Sequence, residues 1–247
     1  MKAMVLAAGL GTRLGALTAD RPKALVTLAG HALLEITLAR LRAFGIDDVI
    51  INVHHHAQMI VDYLAAHRNF DMRIEVSREE VLLDTGGGLQ KAAPFFLASN
   101  QDEPFLVHNV DVLSTIDLAR MVQFHTAHSA LATLAVEQRA SSRQLLFDER
   151  GQLRGRSTRD TDEGSATTAL PLEPLAFSGI HVVSPRIFAR LTEQGTFSIV
   201  DAYLRLASQG ETIAAFRAVG CYWRDLGRPQ SLAEAERDLA SGQFSIG

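Results

Sequence analysis

MKAMVLAAGLGTRLGALTADRPKAL, residues 1–25, is the stretch on which the reading of this chain turns. Lys2 to Ala7 is a short apolar run suited to a buried strand. It gives way to Ala8-Gly9-Leu10-Gly11-Thr12-Arg13, where small residues let the backbone turn sharply and come close to a ligand. Successive peptide N–H groups in such a turn form a concave anion site, and Arg13 adds a planar cationic fork. Lys23, held stiffly behind Pro22, supplies a second cation. Strand, glycine loop, Arg and Lys together point to a pocket for a polyphosphate.

Other glycine patterns fit less well. Gly9, Gly11 and Gly15 match a GxGxxxG dinucleotide spacing, but that fold needs a helix directly after the loop and an acid closing the second strand. Here Pro22 interrupts the early segment, and the second predicted strand ends in Asn52-Val53-His54. A P-loop is excluded because no Lys-Ser or Lys-Thr pair follows a glycine. A plain tight turn would explain two glycines, but neither Arg13 nor the Pro22-Lys23-Ala24-Leu25 continuation.

Composition sets the outer bounds. The 247 residues suffice for one large domain or two small ones with a real core. A hydrophobic share of 47% with 21% charged residues is ordinary for a globular protein, and a net charge of −4 argues against a general nucleic-acid surface. The lone Cys221 excludes an internal disulfide framework, and beside Tyr222 and Trp223 it reads as a small core residue. No signal peptide is recognisable, and no apolar run reaches the roughly 18 residues of a membrane span, so a cytoplasmic protein without membrane partners is expected.

Along the chain, helical spacing over Ala32–Phe44 and Ala57–Ala66 alternates with strand patterns at Asp48–Val53 and Met72–Ser77. This rhythm predicts an α/β fold with a doubly wound, mostly parallel mixed sheet flanked by helices, its ligand at the carboxyl ends of the strands. His54, His55 and His56 invite a metal reading. Consecutive residues of an extended segment face opposite ways, however, so three adjacent histidines do not readily share one ion, and a loop is expected. Residues 79–88 are expected as a loop before a helix at Leu89, its three glycines giving either loop slack or a backbone that lies flat against a planar base. Phe105–His108 predicts a fourth strand, and Asp111 at its end suits Mg²⁺, which takes one or two carboxylates plus phosphate oxygens. A helix-capping role is the alternative for that carboxylate, with Ser114 and Asp117 also available. Further on, Asp117–His128 predicts a helix, Ala130–Val136 a strand, and Arg143–Asp148 with Gln152–Arg156 a hairpin. Ser157–Pro174 is polar and is expected as a mobile excursion. Leu175–Val183 and Ile213–Val219 predict strands, and Pro185–Thr192 and Ile199–Ser208 helices. A closing helix Ser231–Ala240 is expected, with Ser231 as cap.

Read in order, GLGTR, RPKAL, TGGG, NVD, FSGIHV and WRDLG resemble the signature of the sugar-1-phosphate nucleotidyltransferases over nearly the whole chain. One position departs: Val110 stands where the family usually has the glycine of a Gly-Asp pair. The resemblance implies a single catalytic domain over 1–247 with a Rossmann-like nucleotidyltransferase fold, converting NTP and sugar 1-phosphate to NDP-sugar and pyrophosphate. It assigns catalysis to Arg13 and Lys23. It places Leu6, Ala8, Gly9, Gly11, Thr12, Arg13, Glu79, Thr85, Gly86 and Asn109 around the nucleotide, and Ser178 and Gly179 beside the sugar. It gives Mg²⁺ to Asp111 and Asp225, and a homodimer is compatible with it. An ionised Glu79 would accept the ring N–H of uracil, thymine or guanine and repel adenine and cytosine, with UTP favoured; a solvent-facing Glu79 or Glu80 is the competing view. The TGGG variant resembles the short bacterial N-acetylmuramate-1-phosphate uridylyltransferases, with a GTP-using mannose-1-phosphate guanylyltransferase as the alternative. A nucleotide-sugar glycosyltransferase would not need the GxGxR and PK elements. A catalytically inactive NDP-sugar sensor would have lost Arg13, Lys23 or an Asp, and all are present.

Overall fold

The computed structural model describes residues 1–98, 102–157 and 171–246. Its centre is β1 (Lys2–Leu6), flanked in parallel by β2 (Asp48–Val53) on one side and β4 (Phe105–Asn109) on the other. β3 (Arg73–Arg78) extends the parallel side beyond β2. On the far side β9 (Glu173–Val183) lies antiparallel to β4, and also to β6 (Ala132–Glu137) and β7 (Gln144–Phe147). β8 (Leu153–Ser157) closes the predicted hairpin on β7, and β10 (Ile213–Arg217) runs parallel to β6. These nine strands form one mixed, mostly parallel sheet.

Both faces of the sheet are covered, which is why its strands read as apolar runs rather than alternating ones. Met4, Ile50, Phe105 and Val107 pack on one face with Tyr203 and Leu206 of α6 (Ile199–Ser208). Ala3, Val5, Val49, Ile51 and Leu106 pack on the other with Leu34, Leu38 and Leu41 of α1 (Leu33–Ala43), Ile60 and Leu64 of α2 (Ala57–Ala66), and Met121 of α5 (Leu118–Ala127). A third cluster joins Leu14, Val26, Leu28 and Leu33 to Leu226, and to Leu232 and Ala235 of α7 (Pro229–Ala240). It fastens the first loop to the C-terminal part of the chain.

Three expectations are corrected. The helix expected from Leu89 begins at Asp84: α3 (Asp84–Lys91) takes in all three glycines, and α4 (Ala93–Leu97) follows it. A Cβ at Gly86 would fall 2.3 Å from the Phe197 ring, and one at Gly87 would fall 2.2 Å from the Gly195 carbonyl. Close helix packing is what requires glycine at these two positions. The segment expected as a helix over Pro185–Thr192 is a single 3₁₀ stretch, Pro185–Ala189, capped by the Ser184 side chain. The last helix starts at Pro229, so Ser231 is inside it rather than its cap. Pro at the first helical position has no N–H left to orphan, which makes it a natural start. Asp117 does cap α5, its Oδ1 accepting from the Arg120 N–H at 3.0 Å. Most of the excursion expected over Ser157–Pro174 lies outside the described residues, and Glu173 and Pro174 already belong to β9.

Three histidines lie inside these layers. Burial pushes His108 (β4) down to about 4, helped by the Arg40 charge; burial and Arg186 bring His125 (α5) to about 4. His181 (β9) drops to about 3, again mainly through burial. In the unfolded chain such imidazoles take up protons near pH 6.5. Between about pH 6.5 and 4 the unfolded state therefore binds more protons, and stability falls as the pH falls. Urea unfolding should show a loss of a few kcal/mol between pH 7 and pH 5, flattened by His125→Gln; a midpoint independent of pH over that interval would contradict the buried, neutral assignment.

Candidate active site

The site grows from one row of three residues at the carboxyl end of the sheet. Register places Leu6 of β1 opposite Asn52 of β2 and Asn109 of β4. As β1 ends, the next N–H, that of Ala7, is taken by Asn52 Oδ1 at 2.8 Å, while Leu6 O accepts from Val110 N at 3.2 Å. Ala8 and Gly9 then continue along the floor of a cavity. A Cβ at Gly9 would meet nothing within 4 Å, so no protein neighbour demands glycine there. A side chain would instead project toward space open to a ligand.

The loop then coils into 3₁₀ turns over Thr12–Thr18, with Gly11 and Gly15 at φ of 66° and 58°. Thr18 Oγ1 donates to the carbonyls of Gly11 at 3.0 Å and Gly15 at 3.2 Å, closing the coil on itself. Leu14 is buried in the third core cluster, while its neighbours Thr12 and Arg13 are exposed. Pro22 in extended conformation leads into Lys23, whose ammonium is ion-paired with Asp111.

Asp111 follows β4 and precedes β5 (Val112–Ser114), which pairs antiparallel with β11 (Trp223–Asp225). Asp225 lies opposite Val112, and Leu226 N donates to Asp111 O at 2.8 Å. Two carboxylates 114 positions apart in sequence (225 minus 111) are thus brought together, one just before β5 and one at the end of β11. Asp225 Oδ1 accepts from Gly227 N at 2.6 Å, and a Cβ at Gly227 would come within 2.8 Å of the Arg13 guanidinium. Arg13, Lys23, Asp111 and Asp225 therefore share one neighbourhood. Among the described residues no group of three or more His, Cys, Asp or Glu side chains is placed to hold a metal. The pair of hard carboxylates is nevertheless the donor set Mg²⁺ uses when phosphate oxygens complete its shell. His54 binds the Glu79 carbonyl through Nδ1 at 2.8 Å, and His56 starts α2 in a left-handed conformation.

Of the expected residues, Leu6, Ala8, Gly9, Lys23, Thr85, Asn109 and Asp111 line the cavity. Gly86 does not: its N–H bonds Phe197 O at 2.9 Å. Glu79 is also withdrawn, 5% exposed, with Oε1 accepting from Asn52 Nδ2 at 2.7 Å and Oε2 from Leu83 N at 3.0 Å. Gly179, at φ 74°, packs where a Cβ would crowd Asn109. Ser178 presents its carbonyl to Trp223 Nε1 at 2.8 Å, and its buried hydroxyl has no partner among the described residues. The Arg139 guanidinium lies 3.6 Å over the Trp223 ring and donates to Phe177 O at 2.8 Å, bracing that wall. Sequence reading missed Asn52, Leu82 and Asp84, which line the cavity. Asn52 was legible only as the polar end of an apolar strand.

The comparisons match this geometry. The Nucleotidyl transferase family model matches residues 2–145, more than half of the chain. The chain belongs to the sugar-1-phosphate nucleotidyltransferase family. It is 33% identical over 250 residues to an N-acetylmuramate alpha-1-phosphate uridylyltransferase of Caulobacter vibrioides, covering 96% of each chain. It is 26% identical to mannose-1-phosphate guanylyltransferase 1 of Arabidopsis thaliana, spanning 93% of this nucleotidyltransferase but only 62% of the plant protein. A crystal structure of a UDP-glucose pyrophosphorylase complexed with UDP-glucose shares the fold, with a TM-score of 0.78 at 19% identity over 98% of each chain.

The Asn52 amide is the joint of the site, holding Ala7 on one side and Glu79 on the other. Asn52→Leu should cost about 2 kcal/mol or more, because it leaves two buried polar groups unpaired. Combined with Glu79→Gln in a double-mutant cycle under urea, the two changes should be non-additive; strict additivity would show that the two residues are not coupled.

Proposed function

We propose that this nucleotidyltransferase moves a uridylyl group from UTP to a sugar 1-phosphate, releasing pyrophosphate, with residues 1–247 acting as one catalytic domain. The observation that carries the reading is the meeting of Lys23, Asp111, Asp225 and Arg13 beside the bare Gly9 floor at the end of β1. The relative from Caulobacter supports uridylyl over guanylyl transfer because it matches over 96% of its length.

A phosphate oxygen of the sugar 1-phosphate attacks the α-phosphorus of the triphosphate, and the bond to the leaving pyrophosphate breaks. No general base is required, since a phosphate monoester with a second pKa of about 6 is already largely deprotonated at neutral pH. Catalysis is then a matter of alignment and charge. Peptide N–H groups of the Ala8–Gly11 turn cradle phosphate oxygens, and Lys23 and Arg13 balance the charge that gathers on the leaving group. Lys23 exchanges its Asp111 partner for phosphate when the nucleotide enters. Asp111 and Asp225 would hold Mg²⁺, which supplies charge neutralisation to the phosphates when bound. The Ser178–Gly179 bulge of β9, braced by Trp223 and Arg139, forms the wall against which the sugar rests.

Pyrophosphate release measured over UTP, dTTP, GTP, CTP and ATP with a panel of sugar 1-phosphates tests the reading; silence across all pairs would refute it. Asp111→Asn and Asp225→Asn should each cut turnover by about a hundredfold, the scale of one lost electrostatic stabiliser, and full activity in either at saturating Mg²⁺ would remove that residue from the site. Arg13→Ala should depress turnover while leaving the melting temperature within about a degree, since an exposed loop Arg adds little to packing. Early melting with normal turnover per folded molecule would make Arg13 structural.

A further inference from the structure

The cavity is chemically divided by β1. On the β4 side lie Lys23 and Asp111, the charges suited to phosphates. On the β2 side its polar side chains are Asn52, Asp84 and Thr85. Asn52 has both ends of its amide engaged. Thr85 Oγ1 accepts from Ile199 N at 3.0 Å. Asp84, which is solvent-exposed, keeps a free strong acceptor: Oδ1 takes the Thr85 N–H at 2.6 Å, and Oδ2 has no partner among the described residues. Its backbone is also unusual. Asp84 sits at φ 57°, a left-handed conformation that costs a non-glycine residue about 1 kcal/mol or more. Glycine would relieve that cost; an aspartate tolerates it through the local bond that its Oδ1 accepts from the Thr85 N–H. The Thr85 N–H accounts for one oxygen and leaves the second, on the cavity wall, open to a ligand.

We propose that Asp84, not Glu79, reads the nucleobase, its Oδ2 accepting a ring N–H on the Watson–Crick edge. The inference rests on the nucleotidyl-transfer reading for its ligand and names the residue that sets base choice. An ionised carboxylate only accepts. Cytosine and adenine turn a bare ring nitrogen toward it, so two acceptors would face each other without a proton between them. Uracil offers one N3–H, which one free oxygen satisfies. Guanine offers N1–H and the N2 amine side by side, and would need both oxygens, one of which Thr85 already holds. The predicted order is therefore UTP, then GTP, then CTP and ATP. Glu79, with both oxygens bonded inside the protein, is the brace that fixes Asn52 and Leu83 behind this wall.

The test is equilibrium binding of UTP, GTP, CTP and ATP by calorimetry to the full chain and to Asp84→Asn, Asp84→Gly and Glu79→Gln, run beside pyrophosphate-release assays. Asp84→Asn keeps an oxygen for the Thr85 N–H and turns an amide donor toward the base. It should weaken UTP at least tenfold and move the UTP:CTP ratio at least tenfold toward CTP. Asp84→Gly should erase the discrimination while melting no lower than the parent, because glycine accepts φ 57° without strain. Glu79→Gln should leave the ratio unchanged. An unchanged ratio in both Asp84 variants, or a shifted ratio in Glu79→Gln instead, would overturn the proposal while leaving nucleotidyl transfer standing. Nucleotide binding with the expected ratio change but no pyrophosphate from any sugar phosphate would uphold Asp84 and refute transfer. No binding of any of the four nucleotides would overturn both.

Discussion

Everything at the carboxyl edge of this sheet depends on where the chain goes after Leu6, and that is decided by one hydrogen bond, from Ala7 N to Asn52 Oδ1. A parallel strand that leaves its sheet abandons an N–H that must find another partner. By taking it, Asn52 holds β1 in register for one residue more and releases Ala8 and Gly9 at a fixed height above the strand ends. Asn52 can do this reliably because Glu79 fixes the other half of its amide, and Gly88 leaves room for that contact: a Cβ there would fall 2.8 Å from both groups. The cationic and carboxylate residues are built outward from this point.

The second support is apolar. Leu14, in the middle of the signature loop, is 1% exposed and shares a cluster with Leu113, Leu226 and Leu232. Leu113 belongs to β5 and Leu226 directly follows β11, the two strands beside which Asp111 and Asp225 are carried. One hydrophobic contact set thus gathers the loop and both carboxylates, and Arg13, next to Leu14, reaches the Gly227 turn as a result. Charge alone would not assemble such a site, since like and unlike groups must first be brought out of water at a common place.

How much of this was legible in the sequence differs by element. The parallel core was plain, because strands buried on both faces are continuous apolar runs and α1, α2, α5 and α6 show helical spacing with clear ends. Asp111 and the Gly9 turn were legible because each follows a strand end, and Lys23 because it is a cation fixed behind Pro22. The TGGG segment misled: glycine is read as loop, whereas here Phe197 and Gly195 press so closely on α3 that only glycine fits. The surroundings of Glu79 were not legible either. Its distance along the chain from the glycines was visible, but the Asn52 and Leu83 partners that turn it inward come from contacts that spacing does not encode. Asp84 was passed over because its place on the cavity wall, with one oxygen open, exists only in three dimensions.

Three glycines among the eight residues of α3 carry one further implication. Each glycine makes a helix about 1 kcal/mol less favourable than alanine would, so this segment has almost no helical tendency of its own. It is a helix because Gly86 N bonds Phe197 O, Thr85 takes the Ile199 N–H, and the 195–199 segment closes over it. Neither piece is a self-sufficient unit. Ordering of the wall that carries Asp84 and ordering of residues 195–199 are a single cooperative event, and the backbone amides of the two segments should exchange with solvent through one shared opening rather than two separate ones.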